Sequence, residues 1–206
     1  MIYPLFHSVN RNKDSFQHDI SIIKMNILAR NNEIKLLKEI FKSKSPEFLA
    51  VYGRRRVGKT YLIKNFFENK STFFHITGTP FEATKQQIWS FSHVYSDVFN
   101  NGDPIPTPAS WQEAFHLLKD AVRKEKSKQK IVLFFDELPW LANKKSGFVE
   151  GLSYLWNRYL ESDARIVLIV CGSAASWMIS NVIDSRGGLH NRITHKLSLQ
   201  PFNLCE

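Results

Sequence analysis

The stretch GRRRVGKT, Gly53 to Thr60, decides how this chain folds. It fits the pattern Gly-x-x-x-x-Gly-Lys-[Ser/Thr], whose glycines give the backbone the torsions and the space to surround a phosphate with N–H groups. The apolar run Phe48 to Tyr52 precedes it, and Leu62 to Phe67 continues with apolar residues at helical spacing. A glycine loop between a strand and a helix predicts a phosphate-binding loop.

The residues of this loop have expected roles in holding a nucleoside triphosphate and magnesium. Lys59 would reach the β- and γ-phosphates, and the Thr60 hydroxyl would bind Mg²⁺. The three loop arginines have two open interpretations, since each either contacts phosphate or a partner or is only solvated. The residues expected to contact the nucleotide are Gly53, Arg54, Arg55, Arg56, Val57, Gly58, Lys59, Thr60 and Tyr61.

A second motif lies downstream, where the apolar run Ile131 to Phe135 ends in Asp136-Glu137. An unbroken apolar run predicts a central parallel strand, and an acid at its carboxyl end is typical of a Walker B strand. Asp136 would hold the hydration shell of Mg²⁺, and Glu137 would act as general base toward the attacking water. The stretch 143–146 lacks the Asp of an Asn-Lys-x-Asp motif, which favours ATP over GTP.

Two more polar residues are candidates for catalysis. The run Ile166 to Cys171 ends in Gly172-Ser173, where the Ser173 hydroxyl would position the water near the γ-phosphate, cap the next helix, or do both. Arg192 precedes a last short strand, Thr194 to Leu199, and would either stabilise transition-state charge or lie on the surface. The sequence alone does not decide between the alternatives for Ser173 or between those for Arg192.

The whole pattern of elements predicts an α/β fold with three layers and a mainly parallel five-stranded sheet. Helical periodicity begins at Asn31, Thr72 to Thr77 forms a further strand, and Ser110 to Glu113 opens another helix with a capping box. Residues 1–24 show no sustained period, so we expect a loose N-terminal extension there, with Met25 as an alternative start. Residues 25–206 are assigned to one domain.

The amino-acid composition limits which partners and which cellular compartment are expected. The 206 residues include 28 Lys plus Arg against 19 Asp plus Glu, a formal charge of +9, which favours anionic ligands. Nucleotide, nucleic acid and acidic protein all stay open. Two cysteines are too few for a disulfide framework, and no apolar stretch reaches the roughly 18 residues of a membrane span. We therefore expect a cytoplasmic protein that does not bind membranes.

With these motifs assembled, the chain resembles the archaeal-type ATPases, a prokaryotic group of P-loop proteins near the AAA+ and STAND classes. The resemblance runs from about Met25 to Phe202. Besides the loop, it rests on Arg30-Asn31-Asn32-Glu33, FFDELPWL at 134–141, CGSAASWM at 171–178 and LHNRITHKLSLQPF at 189–202.

The resemblance implies the strand order 5-1-4-3-2, Ser173 as a sensor, and Arg192 as an arginine finger or sensor. It also implies that the Arg30 to Glu33 element leads into a helix that closes over the adenine. Members of the group usually continue past Pro201-Phe202 into a helical lid or winged-helix region. We therefore expect that this chain is a fragment or works without the lid.

Three functions follow as hypotheses. The first is an ATPase that uses Mg²⁺ and drives a conformational or assembly switch, with self-association and a DNA or protein effector as open partners. The second is a nucleotide-dependent DNA- or protein-binding module with little hydrolysis, motivated by the +9 charge. The third, a small-molecule kinase, would need a second substrate pocket.

Overall fold

The computed structural model describes residues 30–143, 145–184, 187–189 and 191–202. The expected N-terminal extension, residues 1–24, lies outside the described residues. The strands are β1 Glu47–Tyr52, β2 Thr72–Thr77, β3 Ile131–Asp136, β4 Ile166–Gly172 and β5 His195–Ser198. The helices are α1 Asn31–Lys42, α2 Lys59–Phe67, α3 Thr84–Phe99, α4 Trp111–Lys124, α5 Leu138–Leu141, α6 Phe148–Leu155 and α7 Ala175–Met178. Two π-helical segments, π1 Trp156–Leu160 and π2 Ile179–Ile183, extend α6 and α7.

The five strands form one sheet in the order β2-β3-β4-β1-β5, and each neighbouring pair is parallel. Read from the other edge, this is the order 5-1-4-3-2, so the expected topology is confirmed. Because all strands run the same way, their carboxyl ends meet at one edge of the sheet, where ligands bind in open α/β folds. That edge carries the residues that follow β1, β3 and β4.

The sheet is covered on both faces, which explains why its central strands are apolar throughout. Successive β3 residues alternate between two core clusters: Leu133 and Phe135 pack with α3, α4 and α6, while Val132 and Phe134 pack with α1 and α2. All six residues of β3 and all seven of β4 are buried. The three layers expected from the sequence are therefore present.

Local signals account for two of the helix starts. α1 begins at Asn31 as expected, and Leu37 and Ile40 bury its apolar side. At α4, Ser110 Oγ accepts a hydrogen bond from the N–H of Glu113 at 3.2 Å. Glu113 Oε2 accepts from the N–H of Ala109 at 2.9 Å, one residue earlier than a standard capping box would use.

The two π-helical segments were not predicted from the sequence. Segments of this kind are rare and concentrate at functional sites. No helix among the described residues combines the length and the apolar character required to cross a membrane.

Candidate functional site

The glycine loop leaves β1 through a backbone conformation that a side chain would not permit. Gly53 has φ of +147°, and a Cβ placed on it would collide with the carbonyl oxygen of Leu199. That contact arises because the N–H of Leu199 bonds to the carbonyl of Tyr52 at 2.8 Å, so β5 exits directly beside the loop. Gly58, with φ of +90°, then turns the chain into α2.

Lys59 folds back over its own loop. Its Nζ donates to the carbonyl oxygens of Gly53 at 2.9 Å and Arg54 at 2.8 Å, and the residue is only 5% exposed. A buried ammonium requires hydrogen-bond partners, and here the loop backbone supplies them. The loop thus holds a fixed positive charge beside the backbone that is expected to surround the phosphates.

The first turn of α2 meets the end of β3 through a short hydrogen bond. Thr60 Oγ1 donates to Asp136 Oδ2 over 2.6 Å, and Asp136 is 2% exposed. A hydroxyl and a carboxylate side by side are the oxygen ligands that Mg²⁺ prefers in nucleotide sites. The two expected metal-binding residues are therefore in contact, and their chemistry fits the ion.

Asp136 is held as a carboxylate in spite of its burial. Burial alone would raise the pKa of Asp136, but the neighbouring side chains of His75, Thr60 and Cys171, together with the N–H of Glu137, outweigh it and lower the pKa below its ordinary value. His75 Nε2 lies 3.9 Å from Asp136 Oδ2. A negative charge at this strand end is what a divalent cation requires.

Glu137 and Ser173 form the second polar pair of the site. Ser173 Oγ donates to Glu137 Oε2 over 2.9 Å, with the Ser173 N–H at 3.4 Å from the same oxygen. These residues meet because β3 and β4 are neighbours and end at the same edge. α7 begins after Ala174 without a side-chain cap, so the Ser173 hydroxyl bonds to Glu137 and not to the helix.

Arg30 joins the loop to the chain that follows β5. One guanidinium nitrogen, Nη2, donates to the carbonyls of Val57 at 3.3 Å and Gln200 at 2.7 Å, while Nη1 bonds to Glu33 at 3.2 Å. The guanidinium also stacks 4.1 Å from the ring centre of Phe202, and Arg30 is 6% exposed. In this structure Arg30, which precedes α1, therefore links the start of that helix to the loop and to the chain that follows β5.

The loop arginines and Tyr61 face solvent. Arg54, Arg55, Arg56 and Tyr61 are all exposed, and Arg55 Nε reaches Ser173 Oγ only at 3.4 Å. Arg56 adopts φ of +66°, an uncommon conformation for a residue with a side chain. The three arginine side chains are thus open to solvent at the loop.

Arg192 is not brought to this cluster. It precedes β5, and in a parallel sheet the residues before a strand lie at the edge opposite the one that carries the loop. Its Nη1 pairs instead with Glu161 Oε2 at 3.1 Å, with both side chains exposed. Arg192 is thus remote from the phosphate loop of its own chain.

Sequence reasoning missed two contacts at the site. His75 lies two residues before the end of β2, and its link to Asp136 depends on β2 lying beside β3. The strand order implied by the resemblance places β2 beside β3, but the register that brings His75 near Asp136 was not predicted from the sequence. The hydrogen bond from Arg30 to Val57 was not predicted from the sequence, because no local pattern connects residues so far apart in the chain.

Solved structures share this fold. A Walker-type ATPase of Pyrococcus abyssi superposes with a TM-score of 0.62 at 19% identity, over 87% of this chain and 55% of that one. Drosophila ORC bound to DNA gives a TM-score of 0.57 at 17% identity, over 98% and 52%. At these identities the likeness concerns the fold.

Two proteins of Methanocaldococcus jannaschii are similar to this chain in sequence. An uncharacterised protein of Methanocaldococcus jannaschii is 26% identical over 174 residues, 84% of this chain and 35% of that protein. An uncharacterised ATP-binding protein of the same organism is 46% identical over 41 residues, 20% of this chain and 70% of that protein. This chain thus spans about a third of the length of the first relative.

The family match covers most of the chain and confirms the resemblance seen in the motifs. It runs over residues 27–205 and includes the loop, the Asp136-Glu137 pair and Ser173. This chain belongs to the family described as an ATPase domain predominantly from Archaea.

Proposed function

We propose that this chain hydrolyses ATP and uses the reaction to drive a conformational or assembly switch. One observation supports this proposal most directly. Three groups meet at one edge of the sheet: Lys59, the Thr60–Asp136 pair and the Glu137–Ser173 pair. Phosphoryl transfer needs phosphate binding, a metal site and a base, and these residues correspond to the three. We place the protein in the cytoplasm.

The loop and α2 would bind and orient the triphosphate. The backbone N–H groups from Gly53 to Thr60, at the positive end of the α2 dipole, would bind the phosphates. Lys59 would exchange its carbonyl partners for phosphate oxygens. Thr60 and Asp136 would hold Mg²⁺, which when bound neutralises charge on the phosphates. The lowered pKa of Asp136 keeps this site anionic at neutral pH.

Glu137 would take the proton from the attacking water. General-base catalysis of this kind contributes about 10²–10⁴-fold to a rate. Ser173 fixes the Glu137 carboxylate through its hydroxyl, so the base does not need to be ordered at each turnover. Arg192 is assigned a role only toward the site of a second copy of the chain, since it lies at the far edge of its own sheet.

The proposal is tested by comparing ATP turnover and ATP binding of the wild type with those of Lys59→Ala. We expect the variant to lose both, because it removes the buried charge of the loop. Lys64→Ala is a matched control, since Lys64 lies on the same helix, is 40% exposed, and pairs with Glu68 at 3.8 Å. Equal turnover by wild type and Lys59→Ala would overturn the proposal.

A second candidate is a nucleotide-dependent module that binds DNA or protein and hydrolyses little ATP. It is favoured by the +9 charge and by three consecutive exposed arginines, Arg54 to Arg56, beside the nucleotide loop. It predicts salt-sensitive retention of an oligonucleotide, weakened by Arg54→Glu, with phosphate release near background. Turnover that is abolished by Lys59→Ala would instead favour the ATPase.

A further inference from the structure

Arg55, in the glycine loop, reaches the Glu137–Ser173 pair at the edge of the sheet. Its Nε donates to Ser173 Oγ at 3.4 Å, and Ser173 Oγ in turn donates to Glu137 Oε2 over 2.9 Å. The contact arises because β1 and β4 are neighbours, with Tyr52 opposite Gly172 where the two strands end. Side chains that follow three neighbouring strands, β1, β4 and β3, are thus linked in one row.

Most of the Arg55 guanidinium is available for a ligand. The residue is exposed, and within the described ranges its bond to Ser173 is the one hydrogen bond or ion pair that its side chain makes. A guanidinium carries five N–H donors, and this bond uses one of them. The two terminal nitrogens can therefore bind an anion that lies beside the Glu137–Ser173 pair.

The backbone around Arg55 is ordered by its neighbours in the loop. Arg56 adopts φ of +66°, and the carbonyl of Val57 accepts a hydrogen bond from Arg30 Nη2 at 3.3 Å. Backbone strain of this kind persists where the surroundings enforce it, and it clusters at active sites. Because the segment is ordered before a ligand binds, less entropy is lost when the Arg55 side chain engages one.

The position of Arg55 corresponds to the place where charge develops during ATP hydrolysis. A general base lies within hydrogen-bond reach of the attacking water, and that water lies about 3–3.5 Å from the phosphorus it attacks. With Glu137 as the base, the terminal phosphate has to lie close to Glu137, and Arg55 is one side chain away. Guanidinium groups bind phosphate through paired N–H donors and stabilise the charge that forms in phosphoryl transfer.

The other cations considered for the site do not occupy this position. Arg192 lies at the opposite edge of the sheet and pairs with Glu161. The Lys59 ammonium lies on the carbonyls of Gly53 and Arg54, within the loop itself. Among the described residues, Arg55 is therefore the arginine that is hydrogen-bonded to the Glu137–Ser173 pair.

We propose that Arg55 is a catalytic residue that binds the terminal phosphate of ATP within its own chain and stabilises the charge that develops there. The bond from Nε to Ser173 aligns the guanidinium with Glu137, and the terminal nitrogens contact the phosphate. The inference rests on the proposed ATPase activity. It separates Arg55 from Arg54 and Arg56, whose side chains form no hydrogen bond to this pair in the part of the chain that the structure describes.

The test measures the binding of a transition-state analogue, so that it does not depend on turnover. The full chain is titrated against fluorescent mant-ADP and Mg²⁺, with and without aluminium fluoride, which takes the place of the transferred phosphoryl group. Arg55→Ala removes the guanidinium, and Arg55→Lys keeps the charge without the planar set of donors. Arg123→Ala is the matched control, since Arg123 is exposed at the end of α4 that leads to the amino end of β3.

We expect aluminium fluoride to tighten ADP binding by the wild type and by Arg123→Ala. Arg55→Ala should lose at least about tenfold of that gain while its affinity for ADP alone is unchanged, because ADP lacks the terminal phosphate. Arg55→Lys should recover only a small part of the gain, since one ammonium cannot bond to Ser173 and to the phosphate in the same geometry.

The proposal is overturned if Arg55→Ala binds the analogue as tightly as the wild type, or if aluminium fluoride does not tighten ADP binding by the wild type. It is also overturned if Arg54→Ala loses as much as Arg55→Ala, since general attraction by the charge of the loop would then explain the loss. ATP turnover is measured separately. A wild type that binds the analogue through Arg55 and hydrolyses no ATP would contradict the proposed ATPase and not the contact of Arg55 with the terminal phosphate.

Discussion

Ser173 Oγ donates a 2.9 Å hydrogen bond to Glu137 Oε2 and so bridges the ends of two neighbouring strands. Glu137 occupies the left-handed region, with φ and ψ both 47°, which is uncommon for a residue other than glycine, Asn or Asp. Backbone strain of this kind persists where the surroundings enforce it, and it clusters at active sites. The bond from Ser173 is one of the contacts that hold this carboxylate in place.

Removing the Ser173 hydroxyl should slow ATP turnover without weakening ATP binding. Hydrogen bonds to charged groups contribute about 1.5–3 kcal/mol, so we expect Ser173→Ala to lower kcat about tenfold or more. Ser173→Thr keeps the hydroxyl and should restore most of the rate. Steady-state kinetics with a separate measurement of ATP Kd checks this, and a Ser173→Ala protein with wild-type kcat would contradict the role.

Replacing Gly53 should destabilise the fold as well as the loop. Gly53→Ala combines a left-handed φ with a collision against the Leu199 carbonyl, and we expect a loss of roughly 2–5 kcal/mol in the free energy of unfolding. Gly102→Ala is a matched control, since Gly102 has φ of +83° and no atom within 4 Å of its added Cβ.

The control should lose only about 1–2 kcal/mol, from backbone strain alone. Urea denaturation of the three proteins measures both values. Equal losses for the two substitutions would show that the collision with the Leu199 carbonyl does not constrain the loop.

The lowered pKa of Asp136 predicts how stability depends on pH. A carboxyl whose pKa is lower in the folded chain than its ordinary value of 3.8 adds stability above that value and loses it as pH falls through the folded value. Asp136→Asn resembles the protonated form and lacks this contribution at every pH. We therefore expect the stability difference between wild type and variant to be constant above about pH 5 and to shrink below it.

Urea titrations between neutral pH and the acid limit of folding measure this difference. A difference that stays constant down to pH values well under 3.8 would show that the pKa of Asp136 is not lowered in the folded chain.

Substitutions at Arg192 and Glu161 distinguish a structural role of Arg192 from a catalytic role at the site of a second subunit. Both Arg192→Ala and Glu161→Ala break the same exposed ion pair, which is worth about 0–1 kcal/mol of stability. If Arg192 serves a second copy, only Arg192→Ala loses the part of ATP turnover that rises faster than linearly with protein concentration. Identical concentration profiles for the wild type and both variants would exclude that role.

The fold was readable from the sequence wherever one strong local signal decided it. The unbroken apolar runs at Ile131 and Ile166 indicated strands covered on both faces, and the structure buries both completely. The glycine loop was readable because its torsions require glycine at Gly53 and Gly58. The strand order came from the resemblance and not from periodicity, which carries no information about which strands are neighbours.

Contacts between distant elements were not readable in the same way. The position of Arg192 depends on the direction of β5, and the position of His75 depends on the neighbour of β2. The hydrogen bond between Ser173 and Glu137 depends on the geometry of Glu137, whose left-handed backbone has no sequence signature. The π-helical segments were missed because one extra residue in a turn barely alters an apolar pattern.

The most direct test of the account is ATP turnover and ATP binding by the full chain with Glu137 replaced by Gln, which preserves shape and removes the base. We predict slow hydrolysis by the wild type, a loss of about 100-fold or more in Glu137→Gln, and unchanged ATP affinity in that variant. Hydrolysis by Glu137→Gln at the wild-type rate would contradict the assignment of Glu137 as the base. Wild-type hydrolysis no faster than that of Lys59→Ala would contradict the ATPase itself.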